Sequence, residues 1–420
     1  MTLSAPNYKR TKFACYAAYF TMSSVFCVPP LLYVTFHETY NISFTLLGTF
    51  VVANFFTQLA IDLIFSAFSR YFPVSKIVKI MPIITSLGMV LYALIPWFFP
   101  DMAYGGLIAG TIIFSVAAGF SEVLLSPTIA AIPSENPQRD MSFLHSLYAF
   151  GTLTMIGFSS LFLKLFGTEN WMYLILILAV LPLIPAFLFM ISPMPDFSAN
   201  QQTLTPEKTK RRTVGLLLCL ACIFLGSCAE NNMSNWISSF METSLGISKD
   251  IGDILGAAGF AVLLGVVRIA YARFGKNISK VLLIGMSGAV VCYLVAGLSR
   301  HTAPAFIACI LTGLFTSMLW PGTLILMEEN VPNAGVAAFA LMAAGGDLGA
   351  AFAPQLLGAV TDAVSASSFA ANFGGMSPDQ LGMKVGMLVC SVFPILGVCV
   401  LIITIRHFKK GISAPQSYNK

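Results

Sequence analysis

Long apolar runs alternate with short polar breaks along almost the whole chain. A run of about 20 apolar residues is long enough to cross the hydrocarbon core of a membrane as a helix. The runs predict twelve such spans, at 13–36, 45–69, 77–99, 104–132, 142–165, 171–193, 213–241, 251–272, 279–299, 303–327, 335–363 and 382–406. The longest polar segment, 196–212, predicts a linker between two six-helix domains, 1–195 and 213–420.

Composition predicts an integral membrane protein. Hydrophobic residues make up 57% of the 420 residues and charged residues 10%, and the mean hydropathy is +0.83. A soluble domain carries about 25% charged residues, so most of this surface is expected to face lipid. The net charge of +5 therefore reflects the loops and does not indicate a nucleic-acid partner. The predicted fold class is all-α, with the twelve helices in two parallel pseudo-repeats.

Lysine and arginine are unevenly divided between the two sets of loops. The N-terminus, the central segment, the C-terminus and the loops after spans 2, 4 and 8 are basic. The opposite loops and span ends carry Lys164, Lys249, Arg300 and Lys384. Because basic loops stay in the cytoplasm, both termini are expected there, and an even number of spans is required. We expect a multi-pass protein of the cell membrane.

The two halves contain a repeated stretch. Residues 119–151 and 313–345 align without a gap at a spacing of 194 positions (313 − 119). The shared positions are Gly119 and Gly313, Leu125 and Leu319, Pro127 and Pro321, Glu135-Asn136 and Glu329-Asn330, and Gly151 and Gly345. At one position the copies differ, because Glu122 in the first corresponds to Thr316 in the second. Parallel repeats in transporters place the substrate site near the membrane midplane, between the halves.

Several motifs resemble the major facilitator superfamily, across nearly the whole chain. Arg273-Phe274-Gly275-Lys276 resembles the end of its cytoplasmic loop motif, from which Ser69-Arg70-Tyr71-Phe72-Pro73 departs. The fucose-permease-like sugar:proton symporters are the most similar branch. The matching residues are Glu122 ahead of a proline, Leu144-His145 with Phe150-Gly151, Glu230 six residues before Trp236, and Gly345-Gly346-Asp347-Leu348-Gly349 with Pro354. Span 1 lacks the acid that those symporters carry there.

Glu122 is the leading candidate for proton coupling. It lies inside an apolar run with no charged residue close in sequence, and an acid within a membrane span usually has a function. A carboxylate held away from water has its charged form disfavoured, so it can load a proton on one side and release it on the other. Asp62 and Glu230 are the alternative proton carriers.

Asp62 and Arg268 are a predicted charge pair. Asp62 lies mid-span in span 2, on one helical face with Asn54 and Gln58. Arg268 lies mid-span in span 8, which is the repeat counterpart of span 2. Two interpretations stay open: a structural pair that locks one conformation, or a functional pair that breaks and reforms during transport.

The densest polar cluster lies in span 7, at Glu230-Asn231-Asn232-Met233-Ser234-Asn235-Trp236. Amides donate and accept hydrogen bonds, and an aromatic ring stacks on the apolar face of a sugar. The predicted substrate-binding residues are therefore Asn231, Asn232, Asn235 and Trp236, with Trp320 and Tyr33 as secondary candidates. Alternatively, the asparagines bridge neighbouring helices, and the single aromatics pack or anchor at the interface.

Histidine and cysteine positions favour structural roles. His145 lies near the start of span 5. A histidine at such a position more often forms local hydrogen bonds than relays protons, so the structural role is favoured. Cys219 and Cys222 form a CxxC with no second pair or nearby histidine, and buried thiols usually behave as small apolar side chains. No metal, cofactor or nucleotide site is predicted.

These features predict a secondary active transporter and not an enzyme. The expected activity is proton-coupled symport of a sugar or other small polar solute by alternating access. The expected partners are the solute, a proton and membrane lipids, and the chain is expected to be a monomer. The alternative is an exporter, that is, a drug:proton or metabolite:proton antiporter. The polar residues of span 7 argue against the hydrophobic cavity of a multidrug exporter. A membrane enzyme or a transport-inactive sensor is a further alternative, for which no catalytic pair or appended soluble domain is visible.

Overall fold

The computed structural model describes residues 7–42, 44–197, 206–247, 252–371 and 375–412, which are almost entirely helical. The first helices are α1 (Lys9–Leu31), α2 (Tyr33–Tyr40), α3 (Phe44–Phe68), α4 (Val74–Phe98), α5 (Ala103–Ala131), α6 (Pro137–Phe166), α7 (Trp171–Val180) and α8 (Leu183–Met190). The others are α9 (Pro206–Leu245), α10 (Ala258–Phe274), α11 (Ile278–Leu298), α12 (Thr302–Thr316), α13 (Leu319–Asn330), α14 (Val336–Ser365), α15 (Ser368–Ala371), α16 (Pro378–Cys390) and α17 (Val392–Ile412). A π-helical turn, Gly252–Ala257, precedes α10.

Ten helical segments within the described ranges are long and apolar enough to cross a membrane. They are Val74–Phe98, Pro100–Ala131, Pro137–Phe166, Thr168–Met190, Lys210–Ile237, Leu255–Phe274, Ile278–Leu298, Thr302–Asn330, Val336–Ser365 and Pro378–Lys409. These segments coincide with predicted spans 3 to 12, and the all-helical class is confirmed. The first two predicted spans fall on α1 with α2 and on α3. The total of twelve and the cytoplasmic position of the termini stay predictions.

Four predicted spans are divided in the structure, and three of the breaks lie close before a proline. Pro182 follows the end of α7, Pro321 follows the end of α12, and Pro394 follows the end of α16. Proline lacks the N–H that closes a helical turn, and its ring clashes with the carbonyl four residues earlier. Pro127 and Pro354 nevertheless lie inside continuous helices, so the surrounding packing decides whether a helix breaks.

Several helices begin earlier than the apolar pattern predicts. The side chain of Asn136 accepts a hydrogen bond from the Arg139 amide at 2.9 Å, so α6 begins at 137 instead of 142. Ser377 and Gln380 form a capping box that starts α16 at 378 instead of 382. Such caps supply partners for the free amides of the first turn. Residues 206–212 of the predicted linker are likewise the first turns of α9.

The chain forms two compact units, Met1–Asn200 with Gly335–Ala344, and Gln201–Ala334 with Gly345–Lys420. The predicted domains 1–195 and 213–420 differ from these units at the linker and at 335–344. In the first unit, α1 packs on α6, and α5 packs on α3 and α4. In the second unit, α9 packs on α13 and α17, and α10 and α11 both pack on α12.

Candidate functional site

The central feature of the second unit is an ion pair inside the helix bundle. Arg268 of α10 donates from Nη2 to Oε1 of Glu230 on α9, at 3.0 Å. The two side chains are only 5% and 14% exposed. Removing two charges from water carries a large desolvation cost, which good geometry and further hydrogen bonds offset. Both residues were candidates in the sequence, but their pairing was not predicted.

A break between α12 and α13 supplies Arg268 with a second partner. Pro321 has no amide hydrogen, so the carbonyl of Ser317, four residues earlier, lacks its usual helical donor. Nε of Arg268 donates to this carbonyl at 2.8 Å. The backbone of Gly322 bonds the Met318 carbonyl at 2.8 Å, which closes the next turn. A proline on one helix therefore creates the acceptor that orients an arginine on another.

The second carboxylate oxygen of Glu230 is in a different situation. Oε2 is buried, and among the described residues it has no hydrogen-bond partner. A carboxylate accepts at both oxygens when ionised and donates from one of them when protonated. Oε2 is therefore chemically suited either to hold a proton or to accept a hydrogen bond from a bound molecule.

The asparagines of α9 occupy two different faces of that helix. Asn231 donates to the Ser227 carbonyl at 3.2 Å, and Asn235 donates to the Asn231 carbonyl at 2.8 Å. Asn235 is exposed and Asn231 is half-buried. Asn232, in contrast, is 0% exposed and donates to Tyr293 Oη on α11 at 3.2 Å. Asn232 therefore joins two helices, which is the alternative that the sequence left open.

Two tryptophans pack against glycines of α14. Trp236 donates from its indole N–H to the Pro354 carbonyl at 3.0 Å, and a Cβ on Gly358 would lie 3.2 Å from its ring. Trp320 lies against Gly346, where a Cβ would overlap its ring. Both tryptophans are half-buried, so part of each ring stays accessible. The side chain of Tyr33 lies outside the described part of the structure.

In the first unit, α3 and α5 share a polar network. The Asn54 side-chain oxygen accepts from Gln58 Nε2 at 2.8 Å and from Ser115 Oγ at 2.6 Å. Asp62, one turn beyond Gln58, is 0% exposed. The predicted polar stripe on span 2 is therefore a stripe that faces α5. Ser115 was missed because a single serine in an apolar run gives no signal in the sequence.

Glu122 lies on α5 beyond the point where this helix meets α3. A Cβ on Gly119 would lie 3.0 Å from Ile61 Cβ and 3.3 Å from Gln58 Cα, which fixes the register of the two helices. The next turn of each helix carries Glu122 and Asp62. Glu122 is half-buried. The proton-coupling roles of Glu122, Asp62 and Glu230 stay predictions, as does the Asp62–Arg268 pair, whose members belong to different units.

Two further polar contacts were not anticipated from the sequence. Asp140 at the start of α6 pairs with Lys12 of α1. Lys384, counted above as a residue of an outer loop or span end, is 7% exposed within α16 and donates to the Ser299 carbonyl at 2.7 Å. No group of three or more potential metal ligands occurs among the described residues.

The family follows from comparison with known proteins. The family model described as Major Facilitator Superfamily matches residues 13–354. The chain belongs to this superfamily. A search of the curated proteins gave no significant match. With the family and the bundle of apolar helices, the chain is a multi-pass membrane transporter and not an enzyme.

Solved structures share the fold at low sequence identity. The superfamily transporter FucP in its outward conformation has a TM-score of 0.74 at 15% identity, with 93% of this chain and 99% of FucP covered. The proton:xylose symporter XylE has a TM-score of 0.70 at 15% identity, covering 91% and 94%. The human organic anion transporter MFSD10 has a TM-score of 0.67 at 13% identity, covering 94% and 100%. The predicted resemblance to sugar:proton symporters is confirmed at the level of the fold.

Proposed function

We propose that this chain is a proton-coupled symporter of a small, polar, sugar-like solute in the cell membrane, working by alternating access. The observation that carries the proposal is Glu230, which pairs with Arg268 through one oxygen and has a second, buried oxygen without a hydrogen-bond partner among the described residues. A proton on Oε2 neutralises the carboxyl group and makes that oxygen a donor. A solute that binds the protonated form more tightly is thereby coupled to the proton.

The face of α9 near Glu230 supports a solute with several hydroxyl groups. Asn231 and Asn235 present amides on the more exposed side of the helix. Trp236 and Trp320 keep part of their rings accessible, and such rings can cover the apolar face of a sugar. Asn232 is left out of the proposed binding surface because its side chain is buried against Tyr293. Two structural neighbours, FucP and XylE, are described as fucose:proton and proton:xylose symporters.

The decisive experiment is uptake into proteoliposomes that contain the purified chain. A panel of labelled neutral sugars, including fucose and xylose, is offered with an acidic exterior and without a pH gradient. We expect at least one sugar to accumulate above its equilibrium level only with the gradient, and its addition to make an unbuffered exterior more alkaline. Accumulation that needs no gradient, or no accumulation of any neutral sugar, contradicts the proposal.

Variants of α9 test where the accumulated sugar binds. Asn235→Ala and Trp236→Ala are each expected to weaken sugar binding about tenfold, the loss that corresponds to one good hydrogen bond or stacking contact. Asn232→Ala is the matched control on the same helix. It is expected to lower the unfolding temperature while the folded fraction keeps the parent affinity. Equal affinity losses in all three variants would show that α9 acts only through packing.

A second candidate function is exchange or export of an organic anion. Arg268 offers a positive charge that an anionic solute can compete for, and MFSD10 is described as an organic anion transporter. The same proteoliposomes, loaded with small carboxylates, distinguish sugar symport from organic anion export. Outward movement of a carboxylate driven by inward protons, with no movement of neutral sugars, favours the exporter.

A further inference from the structure

Hydrogen-bonding side chains of α1, α5 and α6 meet at His145 in the first unit. His145 of α6 is 4% exposed and contacts two other helices. Its Nδ1 lies 3.0 Å from Tyr19 Oη on α1, and its Nε2 lies 3.3 Å from Ser126 Oγ on α5. The rings of Tyr19 and His145 also meet edge to face, with centroids 5.0 Å apart.

Each ring nitrogen of His145 contacts a hydroxyl group, and this affects which protonation states the ring can adopt. A carbonyl or carboxylate partner accepts only, and it holds a histidine in one tautomer. A hydroxyl can donate or accept, so Tyr19 and Ser126 satisfy either neutral tautomer as well as the protonated ring. The imidazole can therefore change its protonation state without leaving a buried polar atom unsatisfied.

Groups that can carry a proton lie one helical turn beyond Ser126 and one helical turn beyond Tyr19. Glu122 lies one turn before Ser126 on α5, with Cβ atoms about 6 Å apart, so transfer between them requires a bridging water molecule. Beyond Tyr19, one turn earlier on α1, Tyr16 donates to Asp140 Oδ1 at 3.4 Å, and Asp140 also pairs with Lys12. Loop charge predicts that this end of α1 and α6 faces the cytoplasm.

We propose that His145 relays protons between Glu122 and the cytoplasmic end of α1. A proton from Glu122 reaches Ser126, whose hydroxyl proton passes to Nε2 of His145. The ring releases its Nδ1 proton to the Tyr19 oxygen, which gives up its own proton toward Tyr16 and Asp140. Each group gains and loses one proton, so the chain is restored once the tautomers revert. This inference rests on the proposed proton coupling, and it also needs Glu122 to exchange a proton, the role predicted for it from the sequence.

The test measures His145 directly and needs no solute. The full chain, labelled with ¹⁵N-histidine in lipid nanodiscs, is followed by NMR from pH 5 to pH 8. The chain has four histidines, and His145→Gln identifies the signals of interest. If that variant does not fold, a chain with His37, His301 and His407 all replaced by Gln leaves the ring of His145 alone. We expect both nitrogens of His145 to be protonated at low pH and only one at high pH. A single neutral tautomer at every pH overturns the proposal.

A second arm links His145 to Glu122. The charged and titratable groups near the ring are Tyr19 and Tyr16 of α1, Glu122 of α5, Tyr148, Arg139 and Asp140 of α6, and Lys12. In Glu122→Gln, the pH at which His145 changes protonation is expected to move by about half a unit or more. Ser146→Ala is the control, because the Ser146 hydroxyl bonds the Phe143 carbonyl of its own helix. If this pH moves equally in Glu122→Gln and Ser146→Ala, the proposed proton path between Glu122 and His145 is contradicted. The NMR measurements use no solute. Failure of sugar uptake by the parent would therefore contradict the proposed function without deciding whether His145 relays protons.

Discussion

The helices α5 and α12–α13 descend from one repeated sequence and have become different structures. Gly119 and Gly313 both lie at close helix crossings, against α3 and α10 respectively. Beyond that point, α5 runs through Pro127 without interruption and carries Glu122. The second copy carries Thr316, whose hydroxyl bonds the Thr312 carbonyl of its own helix at 2.9 Å. It then breaks before Pro321 and leaves the Ser317 carbonyl to Arg268.

The two halves of the fold therefore place the charged residues of their spans on different helices. In the first unit the acid lies on the repeated helix itself. In the second unit the repeated helix contributes only a carbonyl, while the acid and the arginine come from α9 and α10. A proline at the same repeat position thus has two outcomes. Pro127 lies within the continuous helix α5. Pro321, in the first turn of α13, leaves the Ser317 carbonyl available to accept from Arg268.

The largest expected effect is on solute accumulation, and it distinguishes Glu122 from Thr316 at the equivalent repeat position. Glu122→Gln imitates the protonated acid, so it should still bind and exchange solute but no longer concentrate it. The accumulation ratio in the proteoliposome assay should fall to about one. Thr316→Ala, at the equivalent repeat position, should accumulate solute like the parent. Uphill accumulation by Glu122→Gln would remove Glu122 from the coupling path and leave Glu230, the proposed proton site, and Asp62.

The next effect concerns the ion pair of the second unit. Arg268→Gln leaves Glu230 buried without its cation, which should lower the free energy of unfolding by roughly 3–5 kcal/mol. Glu230→Gln/Arg268→Gln should recover much of this loss. Thermal unfolding in detergent of both single variants and the double variant gives the coupling energy.

The same cycle with Asp62→Asn tests the pair that the sequence predicted. We expect a smaller coupling of Arg268 to Asp62 than to Glu230, since Glu230 lies 3.0 Å from the guanidinium. A larger coupling to Asp62 would show that Arg268 exchanges partners, which is the functional interpretation of the predicted pair.

A smaller effect distinguishes the two repeat glycines. A Cβ on Gly313 would lie 3.0 Å from the carbonyl carbon and Cα of Phe260, and closer still to its oxygen. Backbone cannot move aside easily, so Gly313→Ala should destabilise the protein by roughly 1–3 kcal/mol. Gly119→Ala mainly meets the side chain of Ile61. Its clash is offset by the helix preference of alanine, about 1 kcal/mol, so its unfolding temperature should stay near that of the parent.

The smallest effect concerns Pro321. Pro321→Ala restores an amide that can bond the Ser317 carbonyl, which then competes with Nε of Arg268. A cycle with Arg268→Gln should show a coupling of about 1 kcal/mol, the value of one hydrogen bond. Pro127→Ala in α5 should show no coupling to Arg268. Equal couplings for the two prolines would mean that the helix break does not orient the arginine.

Hydropathy and repetition predict much of the fold because both can be read directly from the order of residues along the chain. A run such as 77–99 is apolar enough to span a membrane whatever surrounds it, and ten predicted spans recur as apolar helices. The stretch repeated at a spacing of 194 residues likewise predicted equivalent helices in the two halves. Helix ends were less predictable, since the polar caps of α6 and α16 extend the helices beyond the apolar runs.

The sequence by itself determined the class of protein, the apolar helices and the set of polar residues inside them. Only the tertiary structure decided which of those residues meet. Glu230 reaches Arg268, Asn232 turns to Tyr293 while Asn235 stays exposed, and His145 lies between two hydroxyl groups. The physical reason is that a partner is selected by the rotation and register of each helix. Those are set by close packing between residues far apart in the chain, which no local pattern records.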